Sequence, residues 1–254
     1  TLGTNPEVCY GVTTASLTYS ATSGGANQYF INYSTDAKNA GFTDVGVTTL
    51  SAGSISIAIP TNMPSGTYTG TLYVRNSANS CVSTGHSMSI KINPATSITS
   101  QSTAGQTICP SSTFTPITVT AVGGGLSYQW YSNTSASNTG GTTLGTLNGA
   151  QTSSYTPQVT AGSTTYYYCI VTGNCGAAVT SSVSGAFVVY PTLSASISGG
   201  TSPICYHTAP GTFTATGGGG TGSYTYLWYK DGITTGITTQ TYAPGNLTST
   251  STFY

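Results

Sequence analysis

The chain is built on a repeat of about 97 residues, and this periodicity restricts it to a tandem array of small domains. Cys9, Cys109 and Cys205 open three similar segments, and Pro94 and Pro191 close the first two. Tyr128-Gln129-Trp130-Tyr131 returns as Tyr226-Leu227-Trp228-Tyr229, and Tyr155-Thr156-Pro157 returns as Tyr242-Ala243-Pro244. Tyr166-Tyr167-Tyr168-Cys169 begins 11 residues after Tyr155, and Phe253-Tyr254 begins 11 residues after Tyr242. The division expected is residues 1–93, 94–191 and a partial third domain, 192–254, without its last strands.

No segment carries a helical stripe. Short alternating runs of Thr, Val, Tyr and Ile are broken by Gly, Ser, Asn and Pro, the pattern of half-buried strands. Strands are expected at 14–21, 27–34, 54–60, 67–75 and 86–93, then at 113–122, 126–132, 152–157, 164–172 and 178–190, then near 211–216 and 223–229. Asp231-Gly232 is a favoured hairpin turn. The glycine runs 123–125 and 217–220 read as flexible loop tips, because no helix or lysine follows to make a phosphate cradle. The fold class is all-β: tandem Ig-like antiparallel β-sandwiches. Linkers of only a few residues predict stiff end-to-end joints.

Charged residues make up 3% of the chain, against about 25% in ordinary soluble proteins. None lies between Lys91 and Lys230. Disorder is excluded, because 37% of residues are hydrophobic and 19 are Tyr. No apolar run is long enough for a membrane-spanning helix. A net charge of zero with no basic cluster argues against nucleic-acid binding. The surface is therefore made of hydroxyls and amides, indifferent to salt and poor in tryptic sites.

Six cysteines in low-charge β repeats favour an oxidising compartment. The second repeat carries Cys109, then Trp130, then Tyr167 two residues before Cys169, in the order of an immunoglobulin domain. Trp130, Tyr167 and Trp228 are the expected core signature. Aligning Val74 with Val171 sets Cys81 beside Cys175 and Leu72 beside Cys169. Cys9–Cys81 and Cys109–Cys175 are then equivalent bridges within their repeats, Cys169 is an unpaired core residue, and the partner of Cys205 lies outside the chain. Cys109–Cys169 and Cys169–Cys175 are the alternatives.

No catalytic constellation is visible. The acids are Glu7, Asp36, Asp44 and Asp231, too few for calcium and without a spacing that pairs them for acid–base work. His86 and His207 stand alone in different repeats, and no Cys-x-x-Cys occurs, so neither a metal nor a cofactor is expected. The tyrosines read as core and cross-strand partners before they read as a sugar platform.

The second repeat resembles a domain type of giant secreted surface proteins of the Bacteroidota. The residues that carry this are Ile108-Cys109-Pro110, Tyr128 to Asn133, Tyr155-Thr156-Pro157, and Thr164 to Gly176. The first repeat resembles a related domain of the same proteins through Asn5 to Cys9, Gly41-Phe42, Pro64 to Tyr68 and Val74 to Ser77. The resemblance implies Ig-like or PKD-like sandwiches in long arrays, type IX secretion, and roles in adhesion, gliding motility or surface filaments. The implied function is a non-enzymatic structural or adhesive segment of a long extracellular protein at the cell surface. A carbohydrate-binding module, or accessory repeats of a large secreted hydrolase, are the rivals. The implied partners are neighbouring repeats, other copies in a fibre, and a surface or polysaccharide ligand.

Overall fold

A computed structural model describes residues 1–254. The first repeat contains β1 (Glu7–Cys9), β2 (Thr14–Thr18), β3 (Gln28–Tyr33), helix α1 (Thr35–Ala40), β4 (Val45–Thr49), β5 (Ser54–Ala58), β6 (Gly66–Arg75) and β7 (His86–Asn93). The second contains β8 (Ser97–Gln101), β9 (Gln106–Ile108), β10 (Ile117–Val122), β11 (Ser127–Asn133), β12 (Thr142–Thr143), β13 (Ser154–Tyr155), β14 (Thr164–Thr172), β15 (Val179–Thr180) and β16 (Phe187–Val189). The third contains β17 (Ser194–Gly199), β18 (Phe213–Gly218), β19 (Tyr229–Lys230), β20 (Ile233–Thr234) and β21 (Thr241–Tyr242).

Alternation along the strands builds each core. In the first repeat the sheet ordered β1-β7-β6-β3-β4 faces the pair β2-β5. Ala15 and Leu17 on β2, Ile55 and Ile57 on β5, and Met88, Ile90 and Ile92 on β7 all point between the layers and are buried. Complete burial of such an aliphatic side chain contributes roughly 1.5–3 kcal/mol. In the second repeat the sheet β12-β11-β14-β16-β9 faces β13-β10-β8. Its core holds Phe114, Ile117, Val119, Trp130, Tyr155, Tyr167, Cys169, Val171, Phe187 and Val189. The molecule is thus an all-β tandem of Ig-like antiparallel sandwiches.

Both sandwiches close with the same irregular step, a parallel pair in an otherwise antiparallel sheet. β1 runs beside β7 with Cys9 opposite Asn93. β9 runs beside β16 with Ile108 opposite Val189, so Cys109 stands beside Tyr190. Cys9, Cys109 and Cys205 then open the same turn, in which the amides of Val12, Ser112 and Thr208 donate to their carbonyls.

The third repeat reproduces the aromatic framework of the second. Trp130 donates from Nε1 to the Thr152 carbonyl at 2.9 Å, and Trp228 donates to that of Thr239 at 2.9 Å. Tyr131 stacks on Tyr168 with ring centroids 5.1 Å apart, and Tyr229 stacks on Tyr254 at 5.4 Å. Tyr229 and Tyr254 exchange both backbone hydrogen bonds, so Tyr254 occupies the place of Tyr168. β17-β18-β21 forms one sheet and β19-β20 a hairpin turning at Asp231-Gly232. Both turn residues have positive φ, 52° and 83°, as this turn requires.

Three local expectations are corrected. The strand expected over 178–190 is two short ones, β15 and β16, with no strand between them. Residues 35–40 form a single helical turn and a half, capped by the Ser34 hydroxyl, which accepts from the Ala37 amide. Only Ala37 of its six residues is buried, so no stripe marks it. Of the strand expected over 223–229, only Tyr229 is in a strand, which continues to Lys230.

Candidate functional site

The most elaborate arrangement of side chains lies where the first repeat meets the second. Cys9 and Cys175 are joined by a disulfide, with Cα atoms 5.4 Å apart. The bond crosses between repeats, and the expected bridges Cys9–Cys81 and Cys109–Cys175 do not form. Strand length explains the correction. Cys9 stands beside Asn93 at one end of β7, and Cys81 precedes His86 at the other end. Eight residues of strand separate these ends by roughly 25 Å, whereas a disulfide needs Cα atoms within about 7 Å. In the second repeat, nine-residue β14 separates the Cys109 end from the Cys175 end in the same way. Cys169 is a free thiol buried in the second core, and Cys81, Cys109 and Cys205 are exposed free thiols. The alternatives Cys109–Cys169 and Cys169–Cys175 are absent as well. Trp130, Tyr167 and Trp228 are all buried. The Tyr167 ring fills the core between Tyr155 and Phe187.

Around the disulfide, backbone groups lock the linker. The Thr96 amide and its hydroxyl both donate to the Cys175 carbonyl, at 2.7 and 2.8 Å. The Asn174 amide donates to the Gly124 carbonyl at 2.7 Å, and the Tyr10 amide donates to that of Asn93 at 2.8 Å. Asn93, the last residue of β7, and Thr96 in the linker are both buried; a buried linker residue is unusual and leaves the joint little freedom. Gly124 is required by close approach: a Cβ there would sit 2.6 Å from the Asn93 side chain. The run 123–125, expected as a free loop tip, therefore packs against the preceding repeat. Sequence reading missed Asn93, Thr96, Gly124 and Asn174. The glycine run follows Val122, which pairs with Ser97 beside the linker, a register that the order of residues alone does not give.

The charges are few and local. Lys91 pairs with Glu7 at 3.3 Å, and Lys38 with Asp44 at 3.2 Å, both at the surface, where such pairs add little. A hydrogen bond from the Asn93 amide, and then the Lys91 ammonium, hold the Glu7 carboxyl below its usual range. The Asp44 carboxylate accepts from the Tyr33 amide at 2.7 Å. No group of three or more His, Cys, Asp or Glu side chains is placed to hold a metal. A cavity of about 410 Å³ in the first repeat is lined by Leu2, Tyr19, Val74, Cys81 and His86, with no carboxylate beside them. A second, of about 360 Å³ in the third repeat, is lined by Ile204, Pro210, Phe213 and Phe253 among others.

The groups that do have displaced titration are buried in the cores. Burial pushes the Tyr33 and Tyr167 hydroxyls up to about 12, and the Cys169 thiol up to about 11. Each stays protonated in the fold at a pH where the unfolded chain has lost the proton. Stability is therefore fully present below about pH 9 and falls as pH rises through about 9 to 12. A series of thermal melts is expected to be flat from pH 6 to 8.5 and to drop steeply above pH 9.

A family model described as a domain of unknown function (DUF8696) matches residues 98–188, the body of the second sandwich. No curated protein matches the chain. Among solved structures, the I-band fragment I67–I69 of titin is similar, with 8% identity and a TM-score of 0.43, over 91% of this chain and 77% of that one. The N-terminal four Ig domains of Dscam1 isoform 6.9 share 14% identity with a TM-score of 0.34; the match covers 96% of this chain and 64% of theirs, so this chain spans less than two thirds of that fragment. The BSP domain of a biofilm associated protein shares 22% identity with a TM-score of 0.27, over 74% of this chain and 29% of that one.

Proposed function

We propose that the chain is a structural and adhesive segment of a long extracellular bacterial surface protein or filament, in which covalently joined sandwiches act as rigid links. The observation that carries this reading is the Cys9–Cys175 bond across the first joint, set among hydrogen bonds that bury the linker. A joint fixed by both a covalent bond and a backbone clasp transmits force and orientation; a ligand pocket has no need of it. A disulfide also fits an oxidising location outside the cytosol. The near absence of charge suits the same setting, since contacts made by hydroxyls and amides change little with ionic strength. The resemblance of the first two repeats to surface proteins of the Bacteroidota adds type IX export, gliding or filament formation to the proposal.

The carbohydrate-binding reading has less support. The strongly exposed tyrosines are Tyr10, Tyr206 and Tyr254, divided between the first and third repeats with none in the second. A sugar platform needs several rings on a common face. Solution scattering tests the leading reading. The expected particle is a rod whose domains repeat every roughly 40 Å, from strands of 8–10 residues at about 3.3 Å per residue plus linkers. A compact globule would refute it.

A further inference from the structure

We infer that Cys109 is half of a second disulfide clasp, joining the second repeat to the third, and that Cys81 is half of a third, joining the first repeat to a preceding one. Cys9 shows what this position does: it stands beside the last residue of its repeat's closing strand and reaches the loop that follows the long strand of the next repeat. Cys109 occupies the same position. It follows β9, which runs parallel to β16 as β1 runs parallel to β7, and it opens the same turn. It is exposed and unpaired, beside the linker Pro191–Leu193.

The receiving face is also repeated. In the second repeat it consists of Gly124, Gly125, Asn174 and Cys175. A Cβ on Gly125 would meet the Asn174 side chain at 2.5 Å. In the first repeat, Gly24 and Gly25 stand against Asn76, whose amide donates to the Gly24 carbonyl at 2.9 Å, and Cys81 follows in the same loop. In the third repeat the glycine run already docks on the linker: the Gly220 amide donates to the Pro191 carbonyl at 2.9 Å. Because Tyr254 stands where Tyr168 stands, and Cys175 lies seven residues beyond Tyr168, the acceptor of Cys109 belongs about seven residues beyond Tyr254.

Each clasp forms when two thiols lose two protons and two electrons and one S–S bond is made. The electrons pass to a disulfide-form thiol oxidoreductase, which leaves as its dithiol. This inference rests on the connectivity seen at the first joint and not on the adhesive reading. The test is a non-reducing peptide map of the native protein, cut with chymotrypsin because trypsin has no site between Lys91 and Lys230. Fragment ions separate Cys169 from Cys175. The expected result includes three cross-linked pairs, each lost on reduction: Cys9 with Cys175, Cys109 with a cysteine shortly after Tyr254, and Cys81 with a cysteine before Thr1. A free Cys109 thiol, or Cys109 bonded to Cys81, Cys169 or Cys205, overturns the inference for Cys109. A free Cys81 overturns its counterpart. The map reads connectivity alone, so its failure leaves the rod seen by scattering to stand or fall separately.

Discussion

Trp130→Ala is expected to lower the stability of the second sandwich by about 3–5 kcal/mol, the range for removing a fully buried large aromatic. The indole is 2% exposed and sits against Tyr155, with ring centroids 6.1 Å apart. Truncation leaves a cavity between the layers, and it also orphans the Thr152 carbonyl that accepts from Nε1 at 2.9 Å. A domain of this size holds only about 5–15 kcal/mol in total, so the loss is a large share of it and should lower the denaturant midpoint of this sandwich sharply. The first repeat, whose core is a separate set of side chains, should keep its own transition. Chemical denaturation followed by hydrogen exchange distinguishes the two. Trp130→Phe keeps the ring and loses the hydrogen bond, so its cost should fall well below that of the alanine variant.

Cys175→Ser is the second large effect. The bond it removes spans 166 residues of sequence. Closing so long a loop restricts the unfolded chain, and such bonds commonly add about 2–4 kcal/mol. The loss should appear in the unfolding of both sandwiches, because the loop runs through both. The mechanical consequence is larger than the thermodynamic one. With the bond in place, a pull along the chain passes from Cys9 directly to Cys175. The whole core of the first repeat, and all of the second up to the end of β14, lie inside the covalent loop and off the load path. Without it, every strand of both repeats comes under tension in turn. Cys81→Ser, which removes no bond present in this structure, should leave the load path between Cys9 and Cys175 unchanged.

The strands with one-sided burial were legible in the first two repeats: β5 reads Ser54-Ile55-Ser56-Ile57, and Ile55 and Ile57 are the buried pair. β4 and β8 bury no residue and were not legible. The aromatic signature was legible for a related reason, since Trp130, Tyr155 and Tyr167 fill positions that only large rings can fill, and the third repeat reuses them. α1 was not legible, because six residues with one buried alanine carry no period. The disulfide was half legible. Comparing repeats correctly made Cys9 the counterpart of Cys109, but sequence alignment does not say at which end of a sandwich a residue lies. That depends on strand direction and length, and it is what sends Cys9 to the neighbouring repeat. The clasp around it was hidden for the same reason. Asn93, Thr96 and Gly124 are ordinary linker and turn residues until two domains are set end to end.

The Cys9–Cys175 bond joins the first two sandwiches and carries a pull past the core of the first and past the second up to the end of β14. Single-molecule stretching of the native chain between its ends tests this most directly. With the Cys9–Cys175 bond intact, unfolding the first two repeats should release none of the chain held between the cysteines, which stand 166 positions apart. Adding reductant, or substituting Cys175→Ser, should add roughly 550–600 Å of contour length, at 3.3–3.6 Å for each freed residue. Release of that full length from the oxidised chain before any reduction would show that the bond does not carry the pull.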